Sequence, residues 1–245
     1  MTYCVGLKIS DGLVFLSDTR TNAGVDNIAR FRKMFTWSVK GQRAIAIVTS
    51  GNLSITQGVI TRLNQDIQRS QSEDVESIMT AETMFRVAQI VSEKMRLVQD
   101  RHSDSLEARG EASSATILVG GQRRGGRHRL FQVYAAGNFI EATADTPYFQ
   151  IGEHKYGKPI LDRVLTINTP MKDAIKAAMV SMDSTLRSNL SVGMPLDVAI
   201  MRGDTMEFAT QRRIDADDPN FSEISNRWSE ALRNAFQTLP EMTDD

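Results

Sequence analysis

The chain has 245 residues, and its 29 Lys plus Arg against 30 Asp plus Glu leave a formal net charge of -1. That balance lacks the basic excess with which a nucleic-acid binder neutralises phosphates, no stretch reaches the ~18 apolar residues of a membrane span, and the N-terminus shows no basic region followed by a hydrophobic run. The one cysteine, Cys4, excludes an internal disulfide and reads as a small buried hydrophobe, so a reducing, cytoplasmic setting is the expectation.

Thr2 stands directly behind Met1. Once Met1 is removed, a single residue carries a hydroxyl and a free α-amine, and the amine can act as general base for its own hydroxyl. An α-amine titrates at about 7.7 to 8 and a lysine at about 10.4, so near neutral pH the amine is partly neutral while a nearby lysine keeps its charge. Thr2 to Ile9 then reads as a strand, Ser10-Asp11-Gly12 as a turn and Leu13 to Asp18 as the returning strand. A two-residue Asp11-Gly12 loop would set Asp18 opposite Val5, on the apolar face of Tyr3, Val5, Leu7 and Ile9, and leave a buried carboxylate unpaired. A three-residue loop that pairs Ile9 with Leu13 and Cys4 with Asp18 avoids this and is the predicted register.

Phe31 to Trp37 alternates as a strand and puts Lys33 on the side of Phe31, Phe35 and Trp37, where a lysine needs a partner. Asp18, at the end of a strand, is the nearest plausible one along the chain. A charged Lys33 beside Thr2 would favour the neutral amine and stabilise alkoxide character. Taken singly these residues are ordinary; Thr2, Asp18 and Lys33 at this spacing make a candidate nucleophile with its electrostatic support.

Arg43 to Ser50 is a further apolar strand, broken by Thr49-Ser50-Gly51-Asn52 before Ile55, Val59, Ile60, Leu63 and Ile67 recur at helical spacing. A second helix is predicted from about Ala81 to Arg101, with Met84, Val87, Ala88, Val91, Met95 and Val98 on a core-facing stripe, and Ser103 to Ser113 as a loop. Ala115 to Val119 opens a second block of strands. Arg123, Arg124, Arg127 and Arg129 mark a basic hairpin tip, read as a solvated turn or subunit contact because the chain is not basic and no aromatic is interleaved. Leu130 to Tyr134, Phe139 to Thr143 and Phe149 to Ile151 are strands, and Lys158 to Val164 and Pro170 to Ser188 are helices, the latter with Thr169 as cap. Val198 to Met201 and Thr205 to Thr210 flank a tight turn at Arg202-Gly203-Asp204. Asp217 to Leu239 is an amphipathic helix whose Phe221, Ile224, Trp228, Leu232 and Phe236 are expected to dock on the body or on a neighbouring subunit. The pattern alone gives an α+β fold, and with no repeat or linker it is read as one domain over residues 1–245. His102, His128 and His154 are too scattered for a zinc motif, so neither metal nor cofactor is expected.

Thr2, the Ser17-Asp18 strand end and Lys33 resemble the N-terminal threonine, aspartate and lysine of proteasome β-type subunits, which are N-terminal-nucleophile hydrolases. Ser17-Asp18-Thr19-Arg20-Thr21-Asn22-Ala23-Gly24 and Gly152-Glu153-His154-Lys155-Tyr156-Gly157-Lys158-Pro159-Ile160-Leu161-Asp162 are similar to the Anbu branch of that family, the bacterial ancestral β subunits. The resemblance implies a four-layer αββα sandwich of two antiparallel sheets with outer helices, peptide or protein substrates, and self-association into a ring or spiral. It leaves open whether an unfoldase ATPase delivers substrates. It also implies that an amide at the strand-to-helix turn marked by Gly51 forms the oxyanion hole, which suits the unpaired N–H groups and positive dipole end of a helix start.

The chain departs from the proteasome pattern at two places. Where active subunits carry an Asp three residues before a Ser-Gly pair, it has Ser188-Asn189-Leu190-Ser191-Val192-Gly193, so Ser188 and Ser191 become the candidates for orienting Thr2. Where a Gly-Ser-Gly segment belongs, it has Gly152-Glu153-His154, whose carboxylate or imidazole could substitute. These changes permit two other readings, a ring subunit that keeps the fold without useful catalysis and a small-molecule amidase. The retained Thr2, Asp18 and Lys33 argue against a scaffold, which has no physical need of them.

Overall fold

A computed structural model describes residues 2–22, 28–110 and 112–241. Met1, with the cleavage expected behind it, and Ala23-Gly24 of the quoted phrase lie outside them. Strand β1 (Tyr3–Ile9) sends Tyr3, Val5, Leu7 and Ile9 into one apolar cluster and Cys4 into another. Burial on both faces is what a central strand between two layers requires.

The first sheet has the order β10 (Tyr148–Gly152), β1, β2 (Gly12–Asp18), β11 (Leu196–Arg202), β12 (Phe208–Ile214). The second has β5 (Met34–Val39), β6 (Arg43–Gly51), β7 (Ala115–Arg123), β8 (Arg129–Val133), β9 (Phe139–Glu141). Every ladder in both is antiparallel. A short ribbon, β3 (Arg20–Asn22) with β4 (Ile28–Arg30), stands apart.

Cys4, Leu13, Phe15, Ala46, Val48, Leu118, Leu130 and Met201 fill the space between the sheets. Helices α1 (Leu53–Arg69) and α2 (Met84–Glu107) cover the second sheet, where the predicted Met84, Val87, Ala88, Val91, Met95 and Val98 stripe packs on Ile45, Ile47, Ile117 and Val119. Helices α3 (Lys158–Val164) and α4 (Met171–Ser188) cover the first, with Leu161, Ala174, Ala178 and Met182 against Val5, Leu7, Val14 and Leu16. The result is the four-layer αββα sandwich. Among the described residues no helix is long and apolar enough to cross a membrane.

Four local expectations are corrected. The β1–β2 register pairs Ile9 with Gly12 and Cys4 with Ser17, so the predicted three-residue loop does not form, nor does the Asp11-Gly12 alternative. Asp18 instead lies opposite Leu196, continuing the row of Val14 and Leu16. The premise that a buried carboxylate needs partners was sound, but the partners come from outside the hairpin, which frees the register to slip. Residues 31–33 precede β5 rather than forming its start, so alternation with Phe35 and Trp37 does not govern Lys33. Helix α2 begins after Thr83, whose Oγ1 accepts Arg86 N at 2.9 Å, and runs on to Glu107, through part of the segment read as a loop. Pro170 is the cap of α4 and Thr169 is not; Thr169 Oγ1 accepts Thr166 N at 2.8 Å, while Asp11 Oδ2, from the β1–β2 turn, accepts Met171 N at 3.3 Å. Helix α5 (Pro219–Gln237) packs Phe221 and Ile224 on the body and leaves Leu232 and Phe236 exposed.

Candidate active site

Asp18 ends β2 fully buried, and three separate segments satisfy its carboxylate. Lys33 Nζ donates to Oδ1 at 2.7 Å, Tyr3 N donates to the same oxygen at 3.1 Å, and Gly193 N donates to Oδ2 at 3.3 Å. Burial pushes the Asp18 carboxyl up from its ordinary value, while Lys33 and the amides of Tyr3 and Gly193 act in the opposite sense. Because Lys33 and Tyr3 N share Oδ1, the ammonium and the peptide group that closes Thr2 are separated by a single oxygen. Lys33 is 4% exposed and also donates to Arg20 O, and its own carbonyl accepts Thr49 N at 2.9 Å from β6.

Residues Asp18, Thr19 and Arg20 together hold the loop that follows α4. Asp18 takes the Gly193 amide, Thr19 Oγ1 donates to Pro195 O at 2.7 Å, and Arg20 Nη1 donates to Leu190 O at 2.8 Å. One short stretch of sequence thus fixes both the lysine and the loop.

Thr2 is 9% exposed, and its carbonyl accepts Glu153 N at 2.7 Å. With Tyr3 opposite Gly152, this bond carries the β1–β10 ladder one step further and sets Glu153 directly across from Thr2. Gly152 has φ +82°, and a Cβ on it would lie 1.9 Å from Thr2 O and 3.1 Å from Ser50 Oγ. The end of β6 therefore closes on the same point as Thr2.

The predicted strand-to-helix turn is there: Gly51 ends β6 at φ +104°, and Asn52 Oδ1 caps α1 by accepting Ser54 N at 2.9 Å and Ile55 N at 3.3 Å. Asn52 N goes to Ser114 O on the β7 side at 2.9 Å, whereas Thr49 N goes to Lys33 O. By strand alternation the Gly51 N–H is directed to the Lys33 side, past the start of β5.

Ser188 and Ser191 are less closely tied to the cluster. Ser188 is the exposed last residue of α4, and among the described residues no hydrogen bond joins either serine hydroxyl to Thr2, Asp18 or Lys33. The buried residue between them is Asn189, which the sequence reading passed over. Its Nδ2 donates to Glu153 Oε2 at 3.0 Å and its Oδ1 accepts Ser191 N at 2.9 Å. The one available signal was an amide side chain just past a helix end, which ordinarily reads as a turn residue. His154 is exposed and turns its ring toward Gly152 O at 3.3 Å. Among the described residues no group of His, Cys, Asp and Glu is arranged to hold a metal ion.

Cys4 lies fully buried two residues from Thr2, its thiol directed at Thr49 O at 3.7 Å. Burial, with Asp18 near, pushes the thiol well above its ordinary value, so thiolate is scarce at neutral pH. Native protein is expected to leave Ellman's reagent unreacted and to release one equivalent of chromophore in denaturant. A full equivalent from native protein would mean that this corner opens freely.

The family model described as Proteasome subunit matches residues 2–201. Among solved structures, the chain is similar to Anbu, the ancestral β-subunit, from Yersinia bercovieri, at 44% identity over 99% of both chains and a TM-score of 0.92. It is likewise similar to the Anbu complex of Pseudomonas aeruginosa, described as a helical assembly, at 45% identity over 99% of this chain and 98% of that one, with a TM-score of 0.92. A Gly-1 mutant of Anbu from Hyphomicrobium sp. strain MC1 matches at 46% identity over 99% of this chain and all of that one, with a TM-score of 0.91. No curated protein sequence matches. With the family model covering most of its length and Anbu structures alike across almost all of it, the chain belongs to the proteasome-subunit family, in its Anbu branch.

Proposed function

We propose that this protein is an N-terminal threonine hydrolase that cleaves peptide bonds through an acyl-enzyme at Thr2, after loss of Met1. The observation that carries the reading is the buried Lys33–Asp18 pair at 2.7 Å, whose shared oxygen also accepts the Tyr3 amide. It holds a fixed positive charge beside Thr2, where a neutral amine and a developing alkoxide are both favoured.

Thr2 Oγ bonds to the substrate carbonyl carbon as its proton passes to the Thr2 amine and the carbonyl π electrons move onto oxygen. The Gly51 N–H is the donor assigned to that oxygen. When the C–N bond breaks, the amine returns its proton to the leaving nitrogen, and water then hydrolyses the Thr2 ester with the same amine as base. Ser188 and Ser191 remain candidates for orienting Thr2 through their hydroxyls.

The chain acts as one proteasome-type domain over residues 1–245, in the cytoplasm, on peptides or proteins. The helical assembly described for the Pseudomonas aeruginosa complex supports self-association into a ring or spiral, and the exposed Leu232, Phe236 and Leu239 of this chain provide apolar surface for it. A labelled peptide library run beside small amides separates peptidase from small-molecule amidase.

The primary test is the intact mass of the native protein with and without a threonine-directed electrophile. The expected result is a mass lacking Met1 that gains one adduct, mapped to Thr2, and no adduct on Thr2→Ala. Labelling of that variant, or a native protein that keeps Met1 and refuses the adduct, overturns the proposal and favours a scaffold subunit.

A further inference from the structure

Glu153 follows the last residue of β10. It is only 9% exposed, sits across the β1–β10 ladder from Thr2, and is tied to it by its own amide at 2.7 Å. Residues opposed across an antiparallel pair lie within side-chain reach of one another. Thr2 and Glu153 are therefore neighbours at the end of the β1–β10 pair, and Asp18 reaches the same end of β1 through the Tyr3 amide.

The second observation is the brace. Asn189 Nδ2 holds Glu153 Oε2 at 3.0 Å, and Asn189 is itself fixed because its Oδ1 accepts Ser191 N at 2.9 Å. The same loop returns two residues later to give the Gly193 amide to Asp18. One loop thus positions two carboxylates, Asp18 on the Lys33 side of Thr2 and Glu153 on the β10 side. Among the described residues Oε2 is committed to Asn189 and no hydrogen bond is made by Oε1, which makes Oε1 the acceptor to assign to Thr2.

We infer that Glu153, held by Asn189, is the positioning residue for the Thr2 amine, accepting an N–H of that amine on Oε1. The inference deepens the hydrolase reading and rests on it for the amine's catalytic use. Its role is electrostatic and directional. When the amine takes the proton of Thr2 Oγ, a positive charge appears beside a carboxylate fixed to receive it, so the tetrahedral intermediate is stabilised and the ammonium is aimed back at the leaving nitrogen. Lys33 favours the neutral amine before attack, and Glu153 favours the protonated amine after it. Opposed charges on the two sides hold the amine near the operating pH, where a general base is most effective.

The test is a titration of the Thr2 amine itself. The chain beginning at Thr2 is labelled by reductive 13C-methylation, and the amine resonance is followed against pH in the native protein, Glu153→Gln, Glu153→Asp and His154→Ala. Glu153→Gln keeps the backbone bond to Thr2 O and is expected to move the midpoint to lower pH, Glu153→Asp to restore much of the shift, and His154→Ala to leave it in place. The pH profile of electrophile labelling is expected to move in parallel. An unchanged midpoint in folded Glu153→Gln overturns the inference. If that variant does not fold, Asn189→Ala, which keeps the carboxylate and removes its brace, is read in the same way, and an unchanged midpoint again overturns it. Should the native protein refuse the electrophile while Glu153→Gln still shifts the midpoint, the hydrolase reading fails and the Glu153–amine contact stands.

Discussion

Lys33→Met is expected to destabilise the protein by about 3–5 kcal/mol and to abolish labelling at Thr2. The magnitude follows from where the pair lies. The side chains of Lys33 and Asp18 are 5% and 0% exposed, so removing the cation strands a carboxylate away from water, and breaking such a pair costs on this order. The Lys158–Asp162 pair, at 51% and 47%, lies in solvent, and Lys158→Met is expected to cost less than about 1 kcal/mol.

Urea unfolding reads both variants through their midpoints at a common slope. The pH dependence has a definite sign. Burial already raises the folded-state value of Asp18 above that of the unfolded chain, and losing Lys33 raises it further. A raised carboxyl favours the folded state below the unfolded value, and that contribution is lost as pH rises through the folded one. The Lys33→Met deficit is therefore expected to be largest at neutral pH and to shrink in mild acid, where Asp18 protonates and needs no cation. The double variant Asp18→Asn with Lys33→Met removes both charges of this pair and is expected to recover most of the stability while labelling stays absent. A Lys33→Met protein with an unshifted urea midpoint would show that Asp18 is held by the Tyr3 and Gly193 amides alone.

What was legible in the sequence follows from how local its causes are. The apolar faces of α1, α2 and α4 repeat every three to four residues, and the repeat states which side is buried. The end of α2 was not legible, because Ser103, Asp104 and Ser105 continue the helix past its apolar stripe and look like loop. Thr2, Asp18 and Lys33 could be assembled because Lys33 lies only 15 residues beyond Asp18. The hairpin register could not, since one of the donors that make a buried Asp18 tolerable, the Gly193 amide, is 175 residues away. Glu153 and Asn189 are 36 residues apart on different elements, and nothing in either local pattern points to the other. Serine hydroxyls drew attention to positions 188 and 191, whereas the fold buries the amide between them.

Gly152→Ala is expected to slow labelling at Thr2 by about 100-fold or more, the order of loss for a misplacement near 1 Å at a reacting group. Two costs act at this position. At φ +82° a side chain is disfavoured by roughly 1–2 kcal/mol wherever it occurs. The added Cβ would also fall 1.9 Å from Thr2 O, and that atom is backbone, unable to rotate away. Relief requires β10 to separate from β1 at the point where Glu153 N binds Thr2 O, so the strain is released into the candidate nucleophile itself. Gly110→Ala isolates the two effects, because Gly110 has φ +70° with nothing within 4 Å of the added Cβ. That variant is expected to lose only the conformational cost in urea unfolding and to label at the native rate. Native labelling by Gly152→Ala would mean that Thr2 is positioned by Asp18 and Lys33 without help from β10, and the β10 side of the cleft would then carry no part in holding the nucleophile.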